Sequence, residues 1–387
     1  MSMSKPIEVA VIGAGMGGLA VAAMLSRIGC KVDIYEQAHQ LARIGAGIQQ
    51  SPNATVVLRE LGLESWLRKK AFYPHFGVSK DWDTGAITNV LPMGEAIESR
   101  YGAPFLLMHR GDLHEGILSA VPEGILHLNK KLVGIEPNGG RPKADFADGT
   151  VIEADLIIGA DGVHSKTQEI LFGKTDPVFS GRVAYRTTFP ASLMGELQIA
   201  DRTKWWGPDK HIVIYYTTRE KSEVYFVTSL VEEGFSIESW STQGDVNMLR
   251  DHYAGFHPEV QAVLKACPSV HKWALVDRQP LASWSTGSVA LLGDACHPMT
   301  PYMAQGAATA IEDAAVLSRC IQQVDRDGIS EALKLYEAVR KPRTSAIQKT
   351  AAENTWMKNK TDADWVYGHN AWTEPLVAAA DPLVSSA

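Results

Sequence analysis

Residues 7–25, IEVAVIGAGMGGLAVAAML, lead a short β-branched apolar run into a cluster of glycines and then into small apolar residues. Few folds accept that order. The apolar run suits a parallel strand covered on both faces. Gly13, Gly15 and Gly18 take the G-x-G-x-x-G register that joins such a strand to a helix. Gly13 permits the tight turn, Gly15 lets a pyrophosphate approach the backbone, and Gly18 lets helix and strand pack closely. The helix N-terminus then offers free N–H groups and a positive dipole end to the phosphate. KVDIYE follows as a second strand ending on Glu36, 23 residues past the first glycine and near the ~20 at which a carboxylate grips ribose hydroxyls. Strand, glycines, helix, strand and acid in this order favour a bound dinucleotide over a turn chosen only for packing. They do not separate NAD from FAD, which share an ADP half.

The rest of the chain sets further bounds. Its 387 residues, 45% hydrophobic, suffice for two domains and a well-buried core. A net charge of −7 creates no field that gathers nucleic acid or anionic lipid, so neither partner is expected and an anionic ligand must be held by a few local arginines. Cys30, Cys267, Cys296 and Cys320 are too dispersed for a CxxC metal site and too few for a disulfide framework, so no metal is expected and a reducing cytoplasm fits. No run approaches a membrane span, and MSMSKPIEVAVIG enters its strand without a cleavage pattern, which predicts a soluble cytoplasmic protein. No Ser-His-Asp order, zinc spacing or P-loop stands out, so difficult chemistry must come from a cofactor.

Two later segments repeat the strand-to-turn form. VIEADLIIGADG, residues 151–162, reads as one strand ending at Asp161-Gly162, a second phosphate-side turn before a helix in HSKTQEILFG. VALLGDACHP, from residue 289, ends likewise at Gly293-Asp294, on the sheet edge where doubly wound folds place ligands. An aspartate there can accept hydrogen bonds from polyol hydroxyls, and Pro298 and Pro301 keep the following chain extended. Gln305-Gly306-Ala307 then opens a helix whose unpaired N–H groups point back at the ligand and suit an anionic heteroaromatic ring.

Residues 178–273 change character, with VAYRTTF, KHIVIYYTT and EVYFVTSLV reading as aromatic and β-branched strands. The expected fold is α/β. A doubly wound parallel-sheet domain takes residues 1–74, 100–177 and 274–342, and a mostly antiparallel β domain of residues 75–99 and 178–273 is inserted into it. A helical C-terminus follows over 343–387, with Pro342 separating helices at 329–341 and 343–359. By the period of two, His211, Val213 and Tyr215 share one strand face, which either lines a cavity or faces solvent at a sheet edge.

The glycine turn, the central DG segment and GDACHPMTPYMAQGA together resemble the three fingerprints of the single-component FAD-dependent aromatic hydroxylases, which have the p-hydroxybenzoate hydroxylase fold. The resemblance covers most of the chain. It implies FAD as cofactor, with Asp294 at the ribityl and pyrophosphate region. The 304–307 backbone, including Gly306 and Ala307, would lie at N1 and O2 of reduced flavin. Arg43 in ARIGAGI and Arg110 in HRGDLH would touch the cofactor, with Leu132 near the adenosine. It also implies NADH or NADPH and O2 as co-substrates, a C4a-hydroperoxyflavin that gives an electrophilic oxygen to an electron-rich ring, and a small aromatic acid as substrate of a monomer or homodimer. Ala304 stands where the GQG turn usually has its first glycine, and Gln168 where the DG motif normally has arginine.

Within that family, HRGDLH, KWWGPDKHIVIYYTT, GDACHPM, MAQGA, AIEDAA and WVYGHN are similar to the 6-hydroxynicotinate 3-monooxygenases. This likeness implies His211 and Tyr215 in the substrate pocket, His211 as base with its ordinary pKa near 6.5 and Tyr215 as its partner. Gln49, Arg202 and Tyr302 stand where histidine, cysteine and histidine are expected. Gln49 cannot titrate. Arg202 either offers its planar fork to a carboxylate or is a solvated surface residue, while Pro301 and Tyr302 lie beside the flavin. The activity implied is hydroxylation of a hydroxylated pyridine carboxylic acid, with carbon dioxide lost if oxygen lands on the carboxyl-bearing carbon. A salicylate-like or 3-hydroxybenzoate-like acid is the second reading, and a non-redox binding module on the same fold the third.

Overall fold

The strand Glu8–Ile12 lies inside a six-stranded sheet, with Leu156–Gly159 on one side and Lys31–Tyr35 on the other, both parallel to it. Val289–Leu291 and Leu126–His127 extend the parallel array, and only the edge strand Ser285–Thr286 runs antiparallel. The computed structural model describes residues 5–43, 46–137, 140–174, 178–232, 242–358 and 361–377. Val9, Val11, Leu156 and Ile158 are buried with the helices Met16–Arg27 and Gly306–Ile321, and Ala10, Ile12 and Ile157 pack in a second cluster with Leu132, Ile135 and Phe146, so cover on both faces accounts for the apolar runs Val9–Ile12 and Leu156–Ile158. Small residues let those helices sit close. A Cβ on Gly17 would fall 2.6 Å from Leu292 Cδ2 and 3.2 Å from the Ala310 Cβ.

Residues 151–162 do not form one strand. Val151–Glu153 belongs to a small antiparallel sheet with Lys143–Phe146, and Leu156–Gly159 belongs to the parallel sheet. The chain changes sheet at Asp155, whose carboxylate accepts the Glu8 N–H at 2.8 Å and pairs with Arg141 at 2.9 Å and Arg326 at 3.0 Å. Three partners remote in sequence fix this break, so local hydropathy could not show it.

The second sheet has eight strands. Their spatial order is Gln243–Gly244, Val270–Asp277, Val178–Pro190, Glu223–Val231, His211–Tyr216, Arg202–Trp206, Phe76–Asp81 and Ile87–Pro92. Every pairing is antiparallel except that of Arg202–Trp206 with Phe76–Asp81. The α/β class with a parallel sheet and a mostly antiparallel one is therefore as expected.

Pro342 does not break its helix, which runs from Ile329 to Ala352. A mid-helix proline removes one hydrogen bond and crowds the preceding turn, but flanking Arg340 and Arg343 are tied into Glu312 and Asp313 of the neighbouring helix. Tertiary ties on both sides of the proline hold the helix together. The expected second helix thus ends at Ala352, and a short helix Asp364–Tyr367 follows. Residues 359–360 and 378–387 of the expected C-terminal segment lie outside the described residues. No helix among the described residues is long and apolar enough to cross a membrane.

Candidate active site

At the glycine turn, Gly13 adopts φ +102°, and a Cβ on it would lie 2.5 Å from the Ala160 carbonyl oxygen. A Cβ on Gly18 would lie 2.1 Å from the Gly13 carbonyl oxygen, so these two positions are closed to side chains by the chain itself. Gly15 differs. It caps the helix without a side-chain hydrogen bond, and a Cβ there would meet nothing within 4 Å, leaving open space in front of unpaired N–H groups. The Glu36 carboxylate stands at this turn, accepting the N–H groups of Ala14 and Ala38, each at 2.8 Å. His114 Nε2 lies 2.7 Å from the Ala14 carbonyl oxygen. This histidine ends the segment HRGDLH, where nothing in the sequence marks it as a partner of the glycine turn.

Arg43 forms a two-point pair with buried Asp112, at 2.6 and 3.2 Å. Leu132 is buried in a small cluster against the parallel sheet. Asp161 caps the helix Lys166–Phe172, accepting from Ser165 Oγ at 2.5 Å and from Thr167 N and Oγ1 at 2.9 and 3.0 Å. Gln168 turns its amide to the Gly173 carbonyl at 3.0 Å.

Arg110 and Asp294 have a different environment. Both reach solvent, yet protein encloses them. Desolvation pulls the Arg110 guanidinium below its ordinary value, opposed by Asp294. Desolvation likewise pushes the Asp294 carboxyl up, opposed by His297 and Arg110. Accessible groups that are nonetheless desolvated line a cleft. A cavity of about 130 Å³ adjoins Asp294, lined in part by Ser165, Gln168 and Pro298. Gly306 opens the helix across from Asp294, with space for a Cβ 3.8 Å from Asp294 Oδ1, and half-buried Ala307 follows. An open glycine turn, a cleft-facing acid and a second helix N-terminus fit the phosphates, polyol and anionic ring of FAD.

The turn carrying Asp294 is held from behind. Gly293, at φ +65°, donates its N–H to Asp313 at 3.1 Å. Asp313 also takes His297 Nε2 at 2.5 Å and Arg340 Nε at 2.7 Å. Glu312 beside it takes Arg340 at 2.7 Å, Arg343 at 2.9 Å and Asn53 at 2.6 Å. Asn53 and Ser51 in turn grip Gln305, at 3.0 and 2.9 Å. This network makes structural sense of AIEDAA and of His297. Cys296, His297 and Asp313 bring donor atoms within 4.8 Å of one another. Asp313 is already committed, however, and burial pushes the Cys296 thiol well up, favouring its protonated form.

Ala304 occupies the left-handed region, φ +56° and ψ +36°, where the family turn has glycine. That conformation costs an L-residue about 1–2 kcal/mol, partly offset because glycine loses more chain entropy on folding. Ala304→Gly is accordingly expected to stabilise by roughly 0.5–1 kcal/mol in urea unfolding; a lower midpoint would contradict this.

His211, Tyr215 and Arg202 meet on one face of the large sheet. Arg202 pairs opposite Tyr215, and Trp206 opposite His211. All three site residues are buried, so neither the sheet-edge nor the surface alternative holds. Arg202 Nε donates to Gln49 Oε1 at 2.9 Å, and a Cβ on Gly77 would lie 3.3 Å from its Nη1. Gly47 permits the strand Gly47–Gln50 to approach, since a Cβ there would lie 2.8 Å from the Tyr215 hydroxyl. The His211 ring lies 5.1 Å from that of Trp206 and 5.6 Å from that of Tyr302, whose hydroxyl is 2.9 Å from Ser229 Oγ. Pro301 is exposed at the start of the same short helical turn. Desolvation, then the neighbouring basic side chains of Lys204 and Arg182, hold the His211 imidazole well below its ordinary value. Desolvation holds the Tyr215 phenol well above its own. The face therefore presents a neutral imidazole, a neutral phenol and a buried guanidinium.

The glycine turn, the Gly293-Asp294 turn and the mostly antiparallel second sheet are parts of an FAD-binding hydroxylase fold. The chain belongs to the FAD binding domain family, which matches residues 6–351, and it is a flavin-dependent aromatic-ring monooxygenase. It is 43% identical to the 6-hydroxynicotinate 3-monooxygenase of Bordetella bronchiseptica, over 96% of this chain and 97% of that one. It is 40% identical to the enzyme of the same name from Pseudomonas fluorescens, over the full length of both. Among solved structures, Klebsiella pneumoniae HpxO complexed with FAD and uric acid superposes with a TM-score of 0.81 at 25% identity, covering 93% of this chain and 90% of that one.

Proposed function

We propose that this enzyme hydroxylates a hydroxylated pyridine carboxylic acid, 6-hydroxynicotinate or a relative, using O2 and NADH or NADPH. Carbon dioxide leaves with the carboxyl group when oxygen is placed on the carbon bearing it. The observation that carries this reading is Arg202. It is a buried guanidinium with no carboxylate within ion-pair distance among the described residues, on the same face as His211 and Tyr215. A desolvated cation left unpaired is expensive, and the carboxylate of a bound acid would complete it. The names of the two relatives support the pyridine ring.

When bound, FAD supplies the electrophilic oxygen derived from O2. The protein's share is placement and proton handling. Gln49 takes Arg202 Nε, leaving the terminal nitrogens for the substrate carboxylate. Neutral Tyr215 donates, and neutral His211 accepts the hydrogen bond of the ring hydroxyl, making the ring more nucleophilic. Tyr302 and Pro301 close the flavin side, and water is excluded by the buried face. Residues 75–99 and 178–273 serve as the substrate-binding part. We read the enzyme as a cytoplasmic monomer or homodimer, a setting in keeping with four unpaired cysteines.

The test is oxidation of NADH or NADPH dependent on each member of a hydroxypyridine and hydroxybenzoate acid panel. Stimulation only by benzenoid acids would contradict the pyridine reading. His211→Ala should keep its flavin and lose about 10²-fold in kcat, and unchanged turnover would remove His211 from the site.

A further inference from the structure

Lys204 occupies an unusual position. It is 2% exposed, although lysine is almost never fully buried unless paired. Among the described residues no carboxylate and no hydrogen-bond acceptor reaches its amine, which rests 3.8 Å from the centroid of the Trp206 ring. The residue sits midway along the strand Arg202–Trp206, opposite Val213, so it shares its face with Arg202, Trp206, His211 and Tyr215. We propose that Lys204 is the terminal base of this reaction: the proton that the ring hydroxyl directs at His211 passes through the imidazole and ends on the Lys204 amine, while Arg202 holds the carboxylate. This rests on the reading of the substrate as a hydroxylated aromatic acid.

The groups facing Lys204 are few. Arg202 lies on its own strand and His211 on the next; Ser79, opposite on the parallel strand, gives its hydroxyl to the Met357 carbonyl. Lys358 lies 5.7 Å from the same Trp206 ring. No acid is among them. Desolvation, then Arg202, hold the amine well below the ordinary lysine range, which favours its neutral form beside a permanent guanidinium. Charge then balances within a dry site. The incoming carboxylate neutralises Arg202, the ring O–H bond breaks as an N–H bond forms on Lys204, and an oxyanion is left beside an ammonium. The Trp206 face stabilises that ammonium. A lysine lowered by burial is a recognised form of general base.

The experiment uses FAD-loaded protein without reductant and 6-hydroxynicotinate as probe at neutral pH. Ring ionisation is read by ultraviolet difference spectra, and proton exchange by calorimetry in buffers of different ionisation enthalpy. For the wild type we expect an ionised bound ring with no proton released to buffer. Lys204→Met should bind the acid through Arg202 but leave the ring un-ionised, with kcat down about 10²–10⁴-fold. Its Tm should rise, because a buried unpaired amine has been replaced by an apolar chain. Lys204→Arg, which carries a fixed charge and cannot accept a proton, should release one proton per ring ionised. Wild-type protein that releases that proton itself, or Lys204→Met that ionises the ring as the wild type does, would overturn the proposal and leave the hydroxylase reading intact. Wild-type protein that neither binds nor is stimulated by any acid of the panel would overturn both.

Discussion

Asp294→Ala should purify without its flavin. The aspartate sits just past the strand Val289–Leu291, in a short turn whose backbone is pinned from behind by Asp313. Its carboxylate faces the cleft, opposite Arg110 and beside the helix opening at Gly306. Hydrogen bonds to a charged group are worth about 1.5–3 kcal/mol each. Losing two from the ribityl and pyrophosphate region would weaken FAD by roughly 10²-fold or more. The substitution also strips Arg110 of its nearest countercharge. The flavin-to-protein absorbance ratio of the purified variant, and FAD titration of the stripped protein, measure the effect. A variant that stays stoichiometrically yellow would remove Asp294 from the cofactor site.

Arg340→Leu should cost about 3–5 kcal/mol of stability. Burial alone would raise Glu312 and Asp313. Arg343 and Arg340 beside Glu312, and His297 and Arg340 beside Asp313, reverse this and hold both below the ordinary carboxylate range. Removing Arg340 leaves two adjacent carboxylates in a buried site with one guanidinium between them. Depressed carboxyl values stabilise the fold above the unfolded pKa, about 4, and that contribution is lost as pH falls. In the variant the relation is reversed, because protonating the freed carboxyls relieves it. The gap between wild type and variant should therefore be widest near neutral pH and narrow toward pH ~4. Denaturant midpoints across that range test both parts, and a gap under about 1 kcal/mol at neutral pH would show the network to be redundant.

The same residues mark what could be read in the chain and what could not. The glycine turn was legible because each glycine answers a local need: the φ of Gly13, the packing of Gly18 and the open approach at Gly15 all belong to one short segment. The Gly293-Asp294 turn was legible for the same reason. Its support was not. AIEDAA stands out as an acidic pair in an apolar helix, but its partners Arg340 and Arg343 lie about thirty residues on, and Asn53 some 260 residues earlier. Those same ties kept the helix whole through Pro342, against local propensity. On the large sheet, the period of two gathered His211 and Tyr215 correctly. Arg202 and Lys204 needed the strand pairing, because only the register with 211–216 reveals that both basic side chains share that face. A lysine in KWW reads as a solvated side chain until its burial is known.

The most direct test of the account is turnover under ¹⁸O2 with 6-hydroxynicotinate and its hydroxypyridine relatives, followed by product mass. We predict a product carrying one labelled oxygen atom, with the carboxyl group either kept or lost as carbon dioxide. Oxygen consumption that yields only hydrogen peroxide and unchanged acid, for every member of the series, would contradict it.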